Sequence, residues 1–279
     1  MDILRIAAFS DGNSGGNPAG VVIEAQLPDA SEMQRIAHEV GFSETAFATP
    51  YEDGYRVRYF SPESEVPFCG HATIALGAAL ALQEGDDVFE LSLNEANISV
   101  EGRCEGDLIW AALRSPLTKS APAEPSLVEG ALALFDYSYD DLDLRIPPAF
   151  AEAGATHLIL ALRERSKLAA MDYDLDEGRT LMNDAGLVTI SLIYAEGDQL
   201  FHARNAFASG GVLEDPATGA AAAALAGYLR DLGWAHGNSI EIIQGEDMGA
   251  KSRLKADFSD NSGSSITVSG YARMMGDQG

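Results

Sequence analysis

A chain of 279 residues that is 46% hydrophobic and 22% charged, with no low-complexity tract, can bury one large core or two ordinary ones, which excludes a disordered or fibrous protein. Its 43 Asp and Glu against 18 Lys and Arg give a net charge of −25, a field that repels nucleic acid and anionic membrane, so neither is expected as a partner. Two cysteines, Cys69 and Cys104, cannot build a disulfide scaffold and have no C-x-x-C spacing.

The only lysines are Lys119, Lys167, Lys251 and Lys255, and acid excess with lysine scarcity suits a high-salt medium that screens self-repulsion. Thermal stability is therefore expected to rise from low to molar salt; a melting temperature that stays flat or falls contradicts the high-salt reading. The opening MDILRIAAFSDG has no basic region followed by an apolar core, and a cytoplasmic location is the expectation.

In chain order, ILRIAAF (3–9) and AGVVIEA (19–25) read as strands around the turn DGNSGGNP. Residues 29–40 read as a helix with Met33, Ile36, Ala37 and Val40 on one stripe. TAFATP and YRVRYF follow as strands, then a Pro- and Gly-containing segment and a run, 71–83, rich in Ala, Leu and Ile on every face. VFELSLN, ISVEGRC and LIWAALR read as strands, and LTKSAPAEP (117–125), with two prolines and little apolar content, as a linker. The second half repeats the order: a helix near 126–134, strands at LDLRIPP and GATHLILAL, a helix near 174–185, strands at LVTISLIYA and FHARNAF, and a second run, 220–232, that is apolar nearly all round.

Both apolar runs open on the same frame, P-x-x-G-x-A-x-x-A-L, once as PFCGHATIALG (67–77) and once as PATGAAAAALA (216–226). A helix apolar on all sides needs a sheet wrapped around it. The expected fold is α+β, with two pseudo-symmetric domains, each a β-barrel-like sheet around a central apolar helix. The expected boundaries are 1–117, joined by a C-terminal strand of about 264–279, and 126–263. If the halves face each other, both helix N-termini point into one cleft, where unpaired N–H groups and the positive dipole ends would bind an anion such as a carboxylate. Gly70 and Gly219 would let backbone approach a ligand, and Ala72 and Ala221 would keep the first turn uncluttered; equally, the glycines only start helices and the alanines only pack.

Cys69 and His71 flank the first of these helix starts. A thiol there has a lowered pKa and can act as base or nucleophile, while free Cys is also commonly a small buried apolar side chain. His71 fits either a substrate or proton-shuttle role or that of a satisfied histidine at a helix start. Glu44, in GFSETAF (41–47) among Phe42, Ala46 and Phe47, would be partly desolvated, which raises a carboxyl pKa toward the range of a general acid or base; the alternative is an ordinary loop glutamate. Glu214 and Asp215, just before Pro216, either cap the second helix or hold a substrate amino or hydroxyl group. The five histidines, His38, His71, His157, His202 and His236, show no metal-ligand spacing, and no G-x-G-x-x-G or phosphate-binding loop is present, so no metal and no cofactor is expected.

The blocks GNPAGVV (16–22), GFSETAF (41–47), RYFSPESEVPFCGHATIALG (58–77), EDPATGAAAAAL (214–225), QGEDMG (244–249) and VSGYA (268–272) resemble, in order and over almost the whole chain, those of the phenazine-biosynthesis PhzF-like family. The resemblance implies the diaminopimelate-epimerase-like fold and commonly a homodimer. In the family's founding branch the SETAF glutamate moves a proton between carbons of trans-2,3-dihydro-3-hydroxyanthranilate, and Glu44 holds that position. The same resemblance implies His71 and Asp215 as substrate and proton-relay groups. It gives a binding set of Asn17, Cys69, Gly70, Ala72, Thr218, Gly219 and Ala220, with the amides of Gly70, His71, Gly219 and Ala220 gripping the carboxylate of a small anionic metabolite.

Three departures stand out. Ala220 replaces the founding branch's serine, the residues between Arg204 and Glu214 lack the family's aromatic and proline spacing, and Thr218 stands where related epimerases carry a second cysteine. A threonine hydroxyl is far too weak an acid to mirror a thiol. Three functions follow as expectations: a cofactor-independent proton-shifting isomerase built on Glu44, a Cys69-dependent epimerase, and a small-molecule-binding member of the fold without catalysis.

Overall fold

The alternation of β-type and helical runs resolves, in the computed structural model, into two units, Met1–Arg114 with Ser269–Gly279 and Ser115–Val268. The structure describes residues 1–106 and 108–276; the last residues of the expected C-terminal strand, 277–279, lie outside them.

The first unit contains β1 (Leu4–Ala8), β2 (Asn17–Ile23), α1 (Ala30–Val40), β3 (Thr45–Tyr51), β4 (Gly54–Phe60), β5 (Glu65–Val66), α2 (Gly70–Glu84), β6 (Asp87–Ser92), β7 (Asn97–Glu105) and β8 (Leu108–Arg114). The second contains β9 (Lys119–Pro122), α3 (Pro125–Leu134), β10 (Ala149–Glu152), β11 (Thr156–Ala161), α4 (Arg165–Ala169), α5 (Leu175–Asp184), β12 (Thr189–Ala195), β13 (Leu200–Ala206), β14 (Glu214–Asp215), α6 (Gly219–Leu232), β15 (Ser239–Gln244) and β16 (Ser252–Asp257). The chain then runs through β17 (Thr267–Met274), most of which belongs to the first unit.

In the first unit the ladders run β1, β2, β3, β4, β6, β7 and β8, and β17 pairs with both β8 and β1. Eight strands therefore close into a barrel, which removes the exposed sheet edges. Inside lies α2, buried from His71 through Ala81 and packed chiefly against β1, β2, β7 and β8. Its sequence explains the position: with no polar face, the helix has nothing to offer water, and each fully buried Ile74, Leu76 or Leu80 contributes roughly 1.5–3 kcal/mol of transfer free energy. The wall approaches so closely that a methyl group on Gly102 would stand 2.3 Å from the carbonyl oxygen of Gly77, so glycine is the residue that fits there. Outside the barrel, α1 lays Met33, Ile36 and Ala37 on Val22, Phe47 and Phe60.

In the second unit the ladders run β9, β10, β11, β12, β13, β15 and β16, with β11 and β12 parallel and β13 and β15 parallel. This sheet wraps α6, which lies against β9, β10, β11, β15 and β16. Among the described residues no ladder joins β16 to β9. Thr118 N donates to Gly263 O and Ser115 N to Ile266 O there, and buried Arg230 of α6 donates to Thr118 Oγ1 and Ser264 O. A separate core forms where Leu158, Leu160, Ile190 and Leu192 meet Val128 and Leu132 of α3, Leu168 of α4 and Met182 of α5.

Two expected elements differ. LTKSAPAEP is not a linker: it carries β9, antiparallel to β10. With a single ladder partner, β9 tolerates prolines that a central strand would not. LDLRIPP is not a strand either. Ile146 N bonds to Asp143 O in a turn, and the Asp143 carboxylate accepts from the Arg145 backbone and guanidinium, a local arrangement that competes with a sheet ladder; β10 starts only after Pro147 and Pro148. Among the described residues no helix is long and apolar enough to cross a membrane.

His157 on β11 is fully buried beside Thr189, and burial lowers its pKa to about 4. Because that is below the unfolded value of roughly 6.5, His157 adds stability that is complete above that pH and is lost as pH falls toward the folded value, a span worth roughly 3 kcal/mol. In high salt, urea-unfolding stability should fall between pH 7 and pH 4 in the wild type, by a clearly smaller amount in His157→Asn; equal falls in both contradict this assignment.

Candidate active site

In the first unit the site is built where α1 ends. Gly41, left-handed at φ 71, stops that helix, and the chain enters β3 beside β2, with Gly20 N donating to Glu44 O at 3.1 Å. The backbone of Glu44 is thereby fixed at a strand entrance. Its side chain is 18% exposed, and its Oε2 stands 3.5 Å from His71 Nε2.

His71 is the second residue of α2, and Cys69 is that helix's N-cap residue, in an extended conformation with no capping bond from its side chain. The Cys69 carbonyl accepts from Thr73 N at 3.0 Å and Thr73 Oγ1 at 2.7 Å, and that hydroxyl is also 2.7 Å from Tyr59 OH. Burial pushes the Tyr59 phenol well above its usual range, so it stays a neutral hydrogen-bonding group. The thiol thus does not cap the helix. Cys69 Sγ lies 3.3 Å from His71 Nδ1, while His71 Nε2 faces Ser43 Oγ at 3.3 Å and Glu44. A neutral imidazole donates from one nitrogen and accepts at the other, so this ring can pass a proton between carboxylate and thiol.

In the second unit Asp215 ends β14, and Thr218 is the N-cap residue of α6, again without a capping side-chain bond. The Thr218 hydroxyl donates to Asp215 Oδ2. Buried Gln244 clamps the loop: its Nε2 donates to Asp215 O at 2.7 Å and to Thr218 Oγ1 at 3.0 Å, and its Oε1 accepts from Thr218 N at 3.2 Å. Next to it Gly245, at φ +71, passes so close to Pro216 O and Ala250 O that a side chain has no room. Glu214 is committed to a buried ion pair with Arg204, at the wall of a cavity of about 410 Å³ lined also by Met171, Asp172, Tyr173, Leu213 and Met248.

Of the residues singled out in the sequence, Glu44, Cys69 and His71 form one cluster, and Asp215 and Thr218 form another within the second unit. Gly70, Gly219 and Ala220 are partly exposed at the starts of their helices. The methyl groups of Ala72 and Ala221 are buried in the cores instead, and Asn17 is buried at the start of β2, paired with Ala8. Sequence reasoning left Ser43 and Gln244 without roles. Both sit inside quoted blocks, but their partners lie 28 and 26–29 residues away, a distance that no local pattern encodes.

Comparison with known proteins identifies the family and the fold. The family described as Phenazine biosynthesis-like protein, PhzC-PhzF, matches residues 6–277. An uncharacterized isomerase of Deinococcus radiodurans is 33% identical over 270 residues, covering 91% of this chain and 85% of that protein. The trans-2,3-dihydro-3-hydroxyanthranilate isomerase of Pseudomonas aeruginosa is 29% identical over 273 residues, covering 95% of this chain and 94% of that one. A PhzF-family phenazine biosynthesis protein of Bacillus anthracis has the same fold, with a TM-score of 0.86 at 22% identity over 99% of this chain and 98% of that one. A hydroxyproline epimerase of Agrobacterium vitis shares the fold more distantly, with a TM-score of 0.60 at 12% identity over 98% of this chain and 89% of that one. The chain is an isomerase of the PhzC-PhzF family.

Proposed function

We propose that this chain is a cofactor-independent isomerase that moves a proton between carbons of a small carboxylate-bearing, amino-acid-like metabolite, with Glu44 as the acid/base. The observation that supports it most is the placement of Glu44: one side-chain oxygen 3.5 Å from His71 Nε2, the group mostly buried, and the backbone held at the entrance of β3. In the reaction, the Glu44 carboxylate takes a proton from a substrate carbon, the electron pair delocalises into the substrate's conjugated system, and the carboxylic acid, its proton exchanging with solvent, delivers a proton to another carbon. The first-turn N–H groups of α2 are not capped by Cys69, and at Gly70 and His71 they suit a substrate carboxylate and the charge that builds during proton removal. Asp215, in the family's EDPATG block, is assigned an assisting role toward a polar substrate group.

A second reading is favoured by one contact. Cys69 Sγ, 3.3 Å from His71 Nδ1, has the neighbour that would make it a thiolate base, as a Cys69-dependent epimerase requires. Against a two-thiol version stands Thr218, whose hydroxyl is already used on Asp215. The test incubates the protein in D2O with trans-2,3-dihydro-3-hydroxyanthranilate and a panel of small amino and hydroxy carboxylates, and follows the products by NMR. Deuterium at a new carbon of a positional isomer supports the proposal; deuterium at the original carbon of a stereoisomer supports the Cys69 reading. Ligand-induced stabilisation with no deuterium uptake from any compound counts against both.

A further inference from the structure

The same three groups carry a property that acid/base chemistry does not need. We infer that Glu44, Cys69 and His71 form a binding site for a zinc-class divalent cation, whose occupancy blocks the proton-transfer site reversibly. One donor atom from each lies within 4.8 Å of the others: a carboxylate oxygen, a thiol sulfur and an imidazole nitrogen. In a tetrahedral zinc site, with metal–sulfur bonds of about 2.3 Å and metal–nitrogen or metal–oxygen bonds of about 2.0–2.2 Å, neighbouring donors are about 3.3–3.6 Å apart. Glu44 Oε2 and His71 Nε2 already have that spacing at 3.5 Å, whereas Cys69 Sγ, 4.0 Å from the same nitrogen, lies nearer Nδ1 at 3.3 Å, so the imidazole has to turn about its Cβ–Cγ bond for one nitrogen to face a cation shared with both other donors. Ser43 Oγ, 3.3 Å from Nε2, is the contact a cation displaces.

The donor chemistry selects the cation. One sulfur, one imidazole and a single carboxylate oxygen suit zinc, cadmium or cobalt(II) and give magnesium or calcium too few oxygens. On binding, the thiol loses its proton to solvent and a metal–sulfur bond forms. Thiolate and carboxylate then supply two negative charges to one dication, and a fourth position stays open for water or a substrate carboxylate. The dipole at the start of α2 opposes a cation but favours the thiolate. The net charge of −25 raises the local concentration of cations. No spacing rule signals this site, because Glu44 precedes β3 while Cys69 and His71 open α2.

Cation binding depends on three donors of the right kinds lying within 4.8 Å of one another, whereas inhibition depends on the role proposed for Glu44. The experiment titrates the full chain, in a Cys104→Ser background that removes the exposed thiol, with Co2+ alone and then displaces it with Zn2+. The expected result is a near-ultraviolet thiolate-to-cobalt absorption that saturates at one equivalent, is bleached by Zn2+ but not by Mg2+, and is lost in Cys69→Ser and Cys69→Ala, with unchanged thermal unfolding of at least one of them showing that the fold persists. His71→Asn and Glu44→Gln should weaken it. No such band with Cys69 intact, or a band that survives both Cys69 substitutions, overturns the inference. If the band behaves as expected while zinc leaves deuterium exchange untouched, the role given to Glu44 fails and the metal site stands; if exchange depends on Glu44 and no band forms, only the metal site fails.

Discussion

Glu44→Gln is expected to lower the turnover of proton transfer by about 10²–10⁴-fold, the range associated with one positioned general acid/base, without loss of the fold. Glutamine keeps the shape of the side chain but has no carboxylate to accept a proton. The backbone bond from Gly20 N to Glu44 O does not depend on the side chain, so the entrance of β3 stays in place. Glu44→Asp should retain part of the activity, because it keeps the chemistry and withdraws it by one methylene from His71 Nε2, now 3.5 Å away. A KM rise with unchanged kcat in Glu44→Gln would mean that Glu44 only binds substrate.

The largest stability effect is expected at Arg204. Its guanidinium makes a forked contact with Glu214, with Nε 3.0 Å and 3.1 Å from the two carboxylate oxygens, and the side chains are only 11% and 5% exposed. Nη1 also donates to the carbonyls of Ala169 and Met171. Burial works against the charge on Arg204, and Glu214 outweighs it, so the group remains protonated. Arg204→Met leaves the Glu214 carboxylate buried without a partner and should cost about 3–5 kcal/mol. The double variant Arg204→Met with Glu214→Gln removes that stranded charge and should recover a substantial part. Urea denaturation of the wild type, the single and the double variants checks this; a single variant within about 0.5 kcal/mol of wild type would show the pair to be energetically idle.

The central helices were legible because a run with no polar face admits one environment, and the sequence from His71 to Ala81 leaves no residue for water. Glu44, His71 and Cys69 were legible as individuals through their neighbours in sequence. Their shared geometry was not, since Glu44 and His71 meet only when β3 and α2 are both placed. LDLRIPP reads as a strand by composition, yet Asp143 takes the Arg145 amide into a turn, and no period-two pattern reports a side chain that competes for the backbone. The misread linker failed for the opposite reason, because prolines mark loops and single-partner strands alike. Gln244 was invisible because its meaning depends on Asp215 and Thr218 arriving beside it.

Proton transfer is assigned to Glu44 as the acid/base, with the thiol of Cys69 not required. The direct measurement is the rate of deuterium incorporation from D2O into whichever panel compound the wild type turns over, compared for wild type, Glu44→Gln and Cys69→Ala under saturating substrate. The prediction is exchange slowed by about 10²–10⁴-fold in Glu44→Gln and retained within about tenfold in Cys69→Ala. Exchange that persists in Glu44→Gln and vanishes in Cys69→Ala would contradict it and move the chemistry to the thiol.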